Sequence, residues 1–177
     1  GALLVLSVAQ EYDIDDLGAP HATITSSPAL TWTKRADAQA ATSGNAEIYT
    51  AVYPAGGSIT VTSAWVSGAL SSVVHVITNY DPASYIGASS VVNLQTSPSV
   101  AITTTQSNSL IIGVTSDYAA INGASRVYRD GATESFYDFG AGAYAAYYYR
   151  KPTTAIGTYT EGLTAPTGMK AGTVLLE

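Results

Sequence analysis

Along residues 46–65, AEIYTAVYPAGGSITVTSAW, two β-type runs flank a turn. Ile59, Val61 and Trp65 fall on one face of the second run, and Thr60, Thr62 and Ala64 on the other, which is the period-2 pattern of a half-buried strand. Pro54 offers no ladder donor and Gly56-Gly57 supplies the positive φ of a tight reversal, so the stretch predicts a hairpin whose turn fixes the register. Two further runs, GALLVLSVAQ at 1–10 and SLIIGVTS at 109–116, are almost continuously apolar, as expected of strands covered on both faces. The first is predicted to lie centrally in a sheet and the second to pair near it.

The other β-prone runs are shorter: residues 29–35 around Trp32, 71–78, 89–95, 99–105, 123–130, 133–139, 143–151, 156–163 and 171–176. Turn signals such as Asn79-Tyr80-Asp81-Pro82, Asp130-Gly131 and Gly140-Ala141-Gly142 separate them. Runs 89–95 and 99–105, rich in serine, threonine and valine and joined across Ser97-Pro98, have the character of edge strands. Residues 11–28, with Glu11, Asp13, Asp15 and Asp16 followed by Gly18, Pro20 and Pro28, read as a long surface excursion. No window repeats apolar positions at helical spacing, so a short helical turn is the most helix expected. About a dozen short strands between regular turn signals predict an all-β chain. The expected architecture is a single antiparallel two-sheet β-sandwich, jelly-roll-like, spanning residues 1–177 as one domain, with a closed barrel as the alternative.

Composition narrows the partners. Charged residues make up 11% of the 177, which suits a β-rich extracellular or particle-bound protein better than a cytosolic enzyme with charged helix faces. A formal net charge of -6, with 7 Lys and Arg scattered along the chain, argues against nucleic acid and against an anionic membrane surface. The apolar run at the start is too short to span a bilayer, so membrane insertion is not expected. With no cysteine, disulfides, thiol nucleophiles and cysteine-ligated zinc are excluded. The sequence begins at Gly1 and its one methionine is Met169, which reads as a processed product or a fragment of a longer polypeptide.

The succession LLVLSVA, LTWTKR, AEIYTAVYPAGGSITVTSAW, SLIIGVTSD and IGTYTEGLTAPTG (156–168) resembles jelly-roll-like or immunoglobulin-like sandwich modules of phage tail and virion proteins and of secreted bacterial surface proteins. The resemblance covers most of the chain through strand and turn patterns. It implies a structural or adhesive role and carries over no catalytic residue.

Candidate chemistry is sparse. A Ser/His/Asp triad would have to use His21, in a loop, or His75, between Val74 and Val76 in a strand, and no G-x-S-x-G elbow is present. Glu47, Asp117, Asp130, Glu134 and Asp138 are scattered carboxylates of the kind that end strands, although a pair of them meeting in space would suit glycoside hydrolysis. Glu11, Asp13, Asp15 and Asp16 form a denser set of hard oxygen ligands, and a bound Ca²⁺ is the cofactor they would hold; no other cofactor is expected. An intramolecular Lys-to-Asn bond, which resembles the cross-link of some bacterial pilin and adhesin sandwiches, would need Lys34, Lys151 or Lys170 buried beside an asparagine and an acid. In residues 143–151, AYAAYYYRK, alternation sends Tyr144 and Tyr148 to one face and Tyr147 and Tyr149 to the other. At least one set is expected at the surface, at a contact with a neighbouring subunit or a ligand. The leading expectation is a non-enzymatic structural or adhesive subunit, extracellular or at a virion surface, partnered by copies of itself or other subunits. A carbohydrate-binding module with a glycan partner is the alternative, and a hydrolase the third.

Overall fold

The computed structural model describes residues 1–11, 22–40, 42–65, 68–140 and 144–177. Among the described residues the chain is all-β, and its helix is confined to one 3-10 turn, Arg129–Gly131. The strands form four antiparallel sheets. One contains, in spatial order, β3 (Thr33–Ala38), β4 (Asn45–Tyr53), β1 (Ala2–Gln10) and β6 (Leu70–Ile77). A second runs β11 (Thr133–Gly140), β12 (Tyr144–Pro152), β9 (Leu110–Asp117), β14 (Ala171–Leu176) and β7 (Ser89–Gln95). A third runs β10 (Val127–Tyr128), β13 (Thr158–Ala165) and β8 (Ser99–Thr103), and the fourth pairs β2 (Thr23–Ser27) with β5 (Thr60–Ala64).

The two larger sheets pack face to face. Leu3, Val5 and Ile48 from the first meet Ile112, Val114, Tyr148 and Val174 from the second. On its opposite face the five-stranded sheet presents Ile111, Tyr147, Tyr149 and Leu175 to Val100, Ile102 and Leu163 of the three-stranded sheet. The outer face of the four-stranded sheet carries Leu6, Val8 and Tyr49, covered by Ile24, Trp32 and Val61. Two sheets were expected, and the described residues form four. Strands such as β1, β9 and β14 have no polar face to turn to water, so each large sheet needs cover on both sides, and the two small sheets supply it.

The predicted hairpin does not form. β4 pairs with β1 and β3, whereas β5 pairs with β2. Residues 54–59, with Gly57 at φ 113, carry the chain out of the four-stranded sheet and onto its outer face. The alternation itself holds, because Val61 packs inward while Thr60 and Thr62 are exposed. β2 lies within the stretch read as a surface excursion, and Trp32 precedes β3 instead of lying in a strand. β9 does not pair with β1; the two face each other across the interface between sheets. β7 and β8 are edge strands, as their composition predicts.

The outer strands of the large sheets differ in how open they are. β3 carries Lys34, Arg35 and Asp37 and a register shift against β4. β11 has a register shift against β12, and β7 has one against β14, with Leu94 at φ 55. β6 runs in unbroken register against β1, from Leu3↔Ile77 to Gln10↔Leu70, and its sequence, LSSVVHVI, has no Asp, Glu, Lys or Arg. Among the described residues no strand pairs with its other edge.

Candidate functional site

The tyrosines expected at the surface are all buried: Tyr144, Tyr147, Tyr148 and Tyr149 are each at most 2% exposed. The alternation is as read, with Tyr144 and Tyr148 in the core between the large sheets and Tyr147 and Tyr149 against the three-stranded sheet. Both faces of β12 are interior, which the pattern of one strand cannot reveal. Room for the rings comes partly from glycine: Tyr149 lies over its cross-strand neighbour Gly113, and Tyr144 over Gly140, where a β-carbon would collide with the ring. Three hydroxyls have partners. Tyr144 donates to Asp138 at 3.1 Å, Tyr147 donates to the Ile121 carbonyl at 3.0 Å, and Tyr149 shares a 3.4 Å contact with the Thr115 hydroxyl. The Tyr148 hydroxyl is near Ser71 and Ala9 but makes no hydrogen bond of normal geometry. Burial pushes all four phenols well above their usual range, so they remain neutral.

Of the acidic set proposed for Ca²⁺, Glu11 is described, and its carboxylate accepts the Ala69 amide at 3.2 Å. Asp13, Asp15 and Asp16, like His21, lie outside the described residues. Among the described residues no three His, Cys, Asp or Glu side chains converge as a metal site.

The scattered carboxylates are engaged locally. Glu47 accepts from Tyr49 Oη at 2.8 Å, the Ala22 amide at 3.1 Å and Gln10 Nε2 at 3.2 Å, on the outer face of the four-stranded sheet. Asp117, at the end of β9, accepts the amides of Lys170, Ala119 and Ile121. Burial raises its pKa and those donors work against the rise. Glu134 takes a bidentate pair from Arg126, at 2.5 and 2.9 Å, and the Tyr128 hydroxyl at 2.7 Å. His75 lies between the large sheets, and burial first, then the Arg150 charge, lowers its pKa. Its Nε2 has no partner.

A cavity of about 400 Å³ opens at one end of the interface between the large sheets. Leu3, Val5, Ile112 and Leu176 line its apolar part. Tyr80 and Tyr85 stand at its rim, their ring centroids 5.6 Å apart and edge to face. Asp81 holds the intervening turn by accepting the Ala83 amide at 2.9 Å and the Ser84 hydroxyl at 2.8 Å. Opposite, the Glu177 carboxylate gathers two segments by accepting from the Ala88 amide on one and from the Thr105 and Gln106 amides and the Ser109 hydroxyl on the other. Burial pushes Glu177 upward, but these donors outweigh it and hold the group at about 2. The Asn79-Tyr80-Asp81-Pro82 turn was legible in the sequence; Tyr85 and Glu177 carried no signal, since the cavity joins segments distant along the chain.

No family model, no curated protein and no solved structure matches the chain. Among the described residues no helix is long and apolar enough to cross a membrane.

Proposed function

We propose that this chain is a non-enzymatic structural or adhesive subunit of the jelly-roll-like sandwich kind, working in a phage particle or an extracellular surface assembly. β6 carries the reading. An outer strand exposes a row of backbone donors and acceptors, which proteins ordinarily blunt with charge, bulges or cover. β3, β7 and β11 show such devices, and among the described residues β6 does not. Val74 and Val76, 36% and 62% exposed, give an added strand apolar side chains to pack beside. A copy of this chain, or another subunit, would extend the four-stranded sheet by pairing with β6, and repeated identical contacts would give a symmetric oligomer or a filament. Native mass measured over a concentration series tests this. The parent is expected to associate, and a Val74→Lys/Val76→Lys variant to stay monomeric; a strict monomer for the parent at high concentration would contradict the reading.

The cavity favours a second reading, carbohydrate binding, because the Tyr80 and Tyr85 rings at its rim suit stacking on a sugar beside polar groups. A glycan array separates the two. A purely structural subunit binds nothing on it, whereas a carbohydrate module binds a defined class and loses it on Tyr85→Ala.

A further inference from the structure

Strand addition joins two unpaired edges, so the partner of β6 depends on the edges a neighbour can offer. A second copy of this chain offers few good ones. β3, β7 and β11 each carry a register shift against the strand beside them, which breaks the straight run of backbone groups that an added strand would follow. β2, β5 and β8 are 5 residues each and β10 is 2, too short for the 8 residues of β6 to pair along their length. Among the described residues, the outer strand that matches β6 in length and regularity is therefore β6 itself.

β6 is also suited to meet its own copy. A charged strand paired with itself brings like charges together, whereas LSSVVHVI has no Asp, Glu, Lys or Arg. Its one imidazole, His75, is turned inward with Val73 and Ile77, and burial first, then Arg150, favours its neutral form. The two-stranded sheet reaches β6 at Ser72, whose hydroxyl lies 2.8 Å from that of Ser63, and beyond that contact Val74 and Val76 are exposed on the outer face. Two equivalent strands pair antiparallel, because the ladder bonds then run perpendicular to both strands and can repeat alike on each. Residues directly opposite must both direct their backbone groups across the join or both direct them away, so one residue lies opposite its own copy on the two-fold axis. Placing Val74 there pairs residues 71–77 of each copy and sets the two exposed Val74 side chains against each other.

Resting on β6 as the site of strand addition, we propose that its partner is a second copy of this chain and that the two β6 strands pair antiparallel about a two-fold axis at Val74. The two four-stranded sheets become one continuous sheet with β3 at either end. Lys34, Arg35 and Asp37 stand on those ends, so the join consumes both β6 edges and assembly closes at two chains instead of growing into a filament.

Native mass of the full chain over a concentration series is expected to rise from one chain to two and stop there. Because the chain has no cysteine, Val74→Cys places a single thiol at the axis. A short bismaleimide is expected to convert associated Val74→Cys into a covalent dimer on a denaturing gel. Val76→Cys is expected to stay unlinked, since in this register it lies opposite Ser72 of the second copy and about 13 Å along the strand from its own counterpart. Growth beyond two chains overturns the proposal, as does Val74→Cys linking no better than Val76→Cys. Amide exchange on the parent then separates the two levels of the argument. Protection of β6 on association leaves strand addition standing with a different partner edge, whereas an unprotected β6, or a parent that stays a single chain throughout, removes strand addition as well. Should Val74→Cys fail to fold, the mass ceiling of the parent decides.

Discussion

Glu161 and Glu177 carry the same side chain and are pushed in opposite directions by what surrounds them. Glu177 accepts several donors and is held at about 2, below its ordinary 4.5, so it contributes stability that is present above 4.5 and lost as pH falls toward 2. Glu161 accepts no hydrogen bond and is raised to about 7, so its contribution is present below 4.5 and lost as pH rises through 7. Urea unfolding across pH distinguishes them. Glu177→Gln is expected to cost roughly 1 kcal/mol at neutral pH, the scale of hydrogen bonds to a charged group reduced by solvent screening at the sheet end, with the cost shrinking toward pH 2. Glu161→Gln is expected to remove a decline in stability between 4.5 and 7. An unchanged pH profile in both variants would contradict these assignments. Neither residue stands out in the sequence, because each acquires its role from elements remote along the chain.

At the scale of elements, β12 marks where reading a strand from its own residues stops. The alternation of AYAAYYYRK divides the rings correctly, yet it cannot say that a second sheet covers each face. By contrast, the apolar runs that became β1 and β9 were legible as strands covered on both sides, since they offer water no polar face. Burial of β12 leads to a contrast between two neighbouring hydroxyls. Tyr147→Phe leaves the Ile121 carbonyl without its donor and is expected to cost roughly 1 kcal/mol, whereas Tyr148→Phe removes a hydroxyl lacking a normal partner and is expected to be neutral or stabilising. Thermal or urea unfolding of the two variants checks this. Equal and negligible effects would return the tyrosines to the surface role first expected of them.

For the whole molecule, short-range pattern located most strands, but pairing was decided by layers that no local window contains. The stretch 46–65 shows this: its second run has the alternation of a half-buried strand, yet the chain between its two halves crosses to another sheet, since β4 already has β1 and β3 as neighbours. The cavity was illegible for the same reason, being assembled from the β6–β7 connection, the β8–β9 connection and Glu177. The edge of β6, unpaired among the described residues, likewise belongs to the assembled sheet, and it is the feature on which the functional reading rests. Backbone groups on an antiparallel edge point alternately toward the neighbour and away from it. Amide hydrogen exchange along β6, at low and at high protein concentration, therefore tests that reading most directly. The amides facing away from β1 are predicted to exchange freely in dilute solution and to become protected as the chain associates; rates that are the same at both concentrations would contradict assembly through this edge.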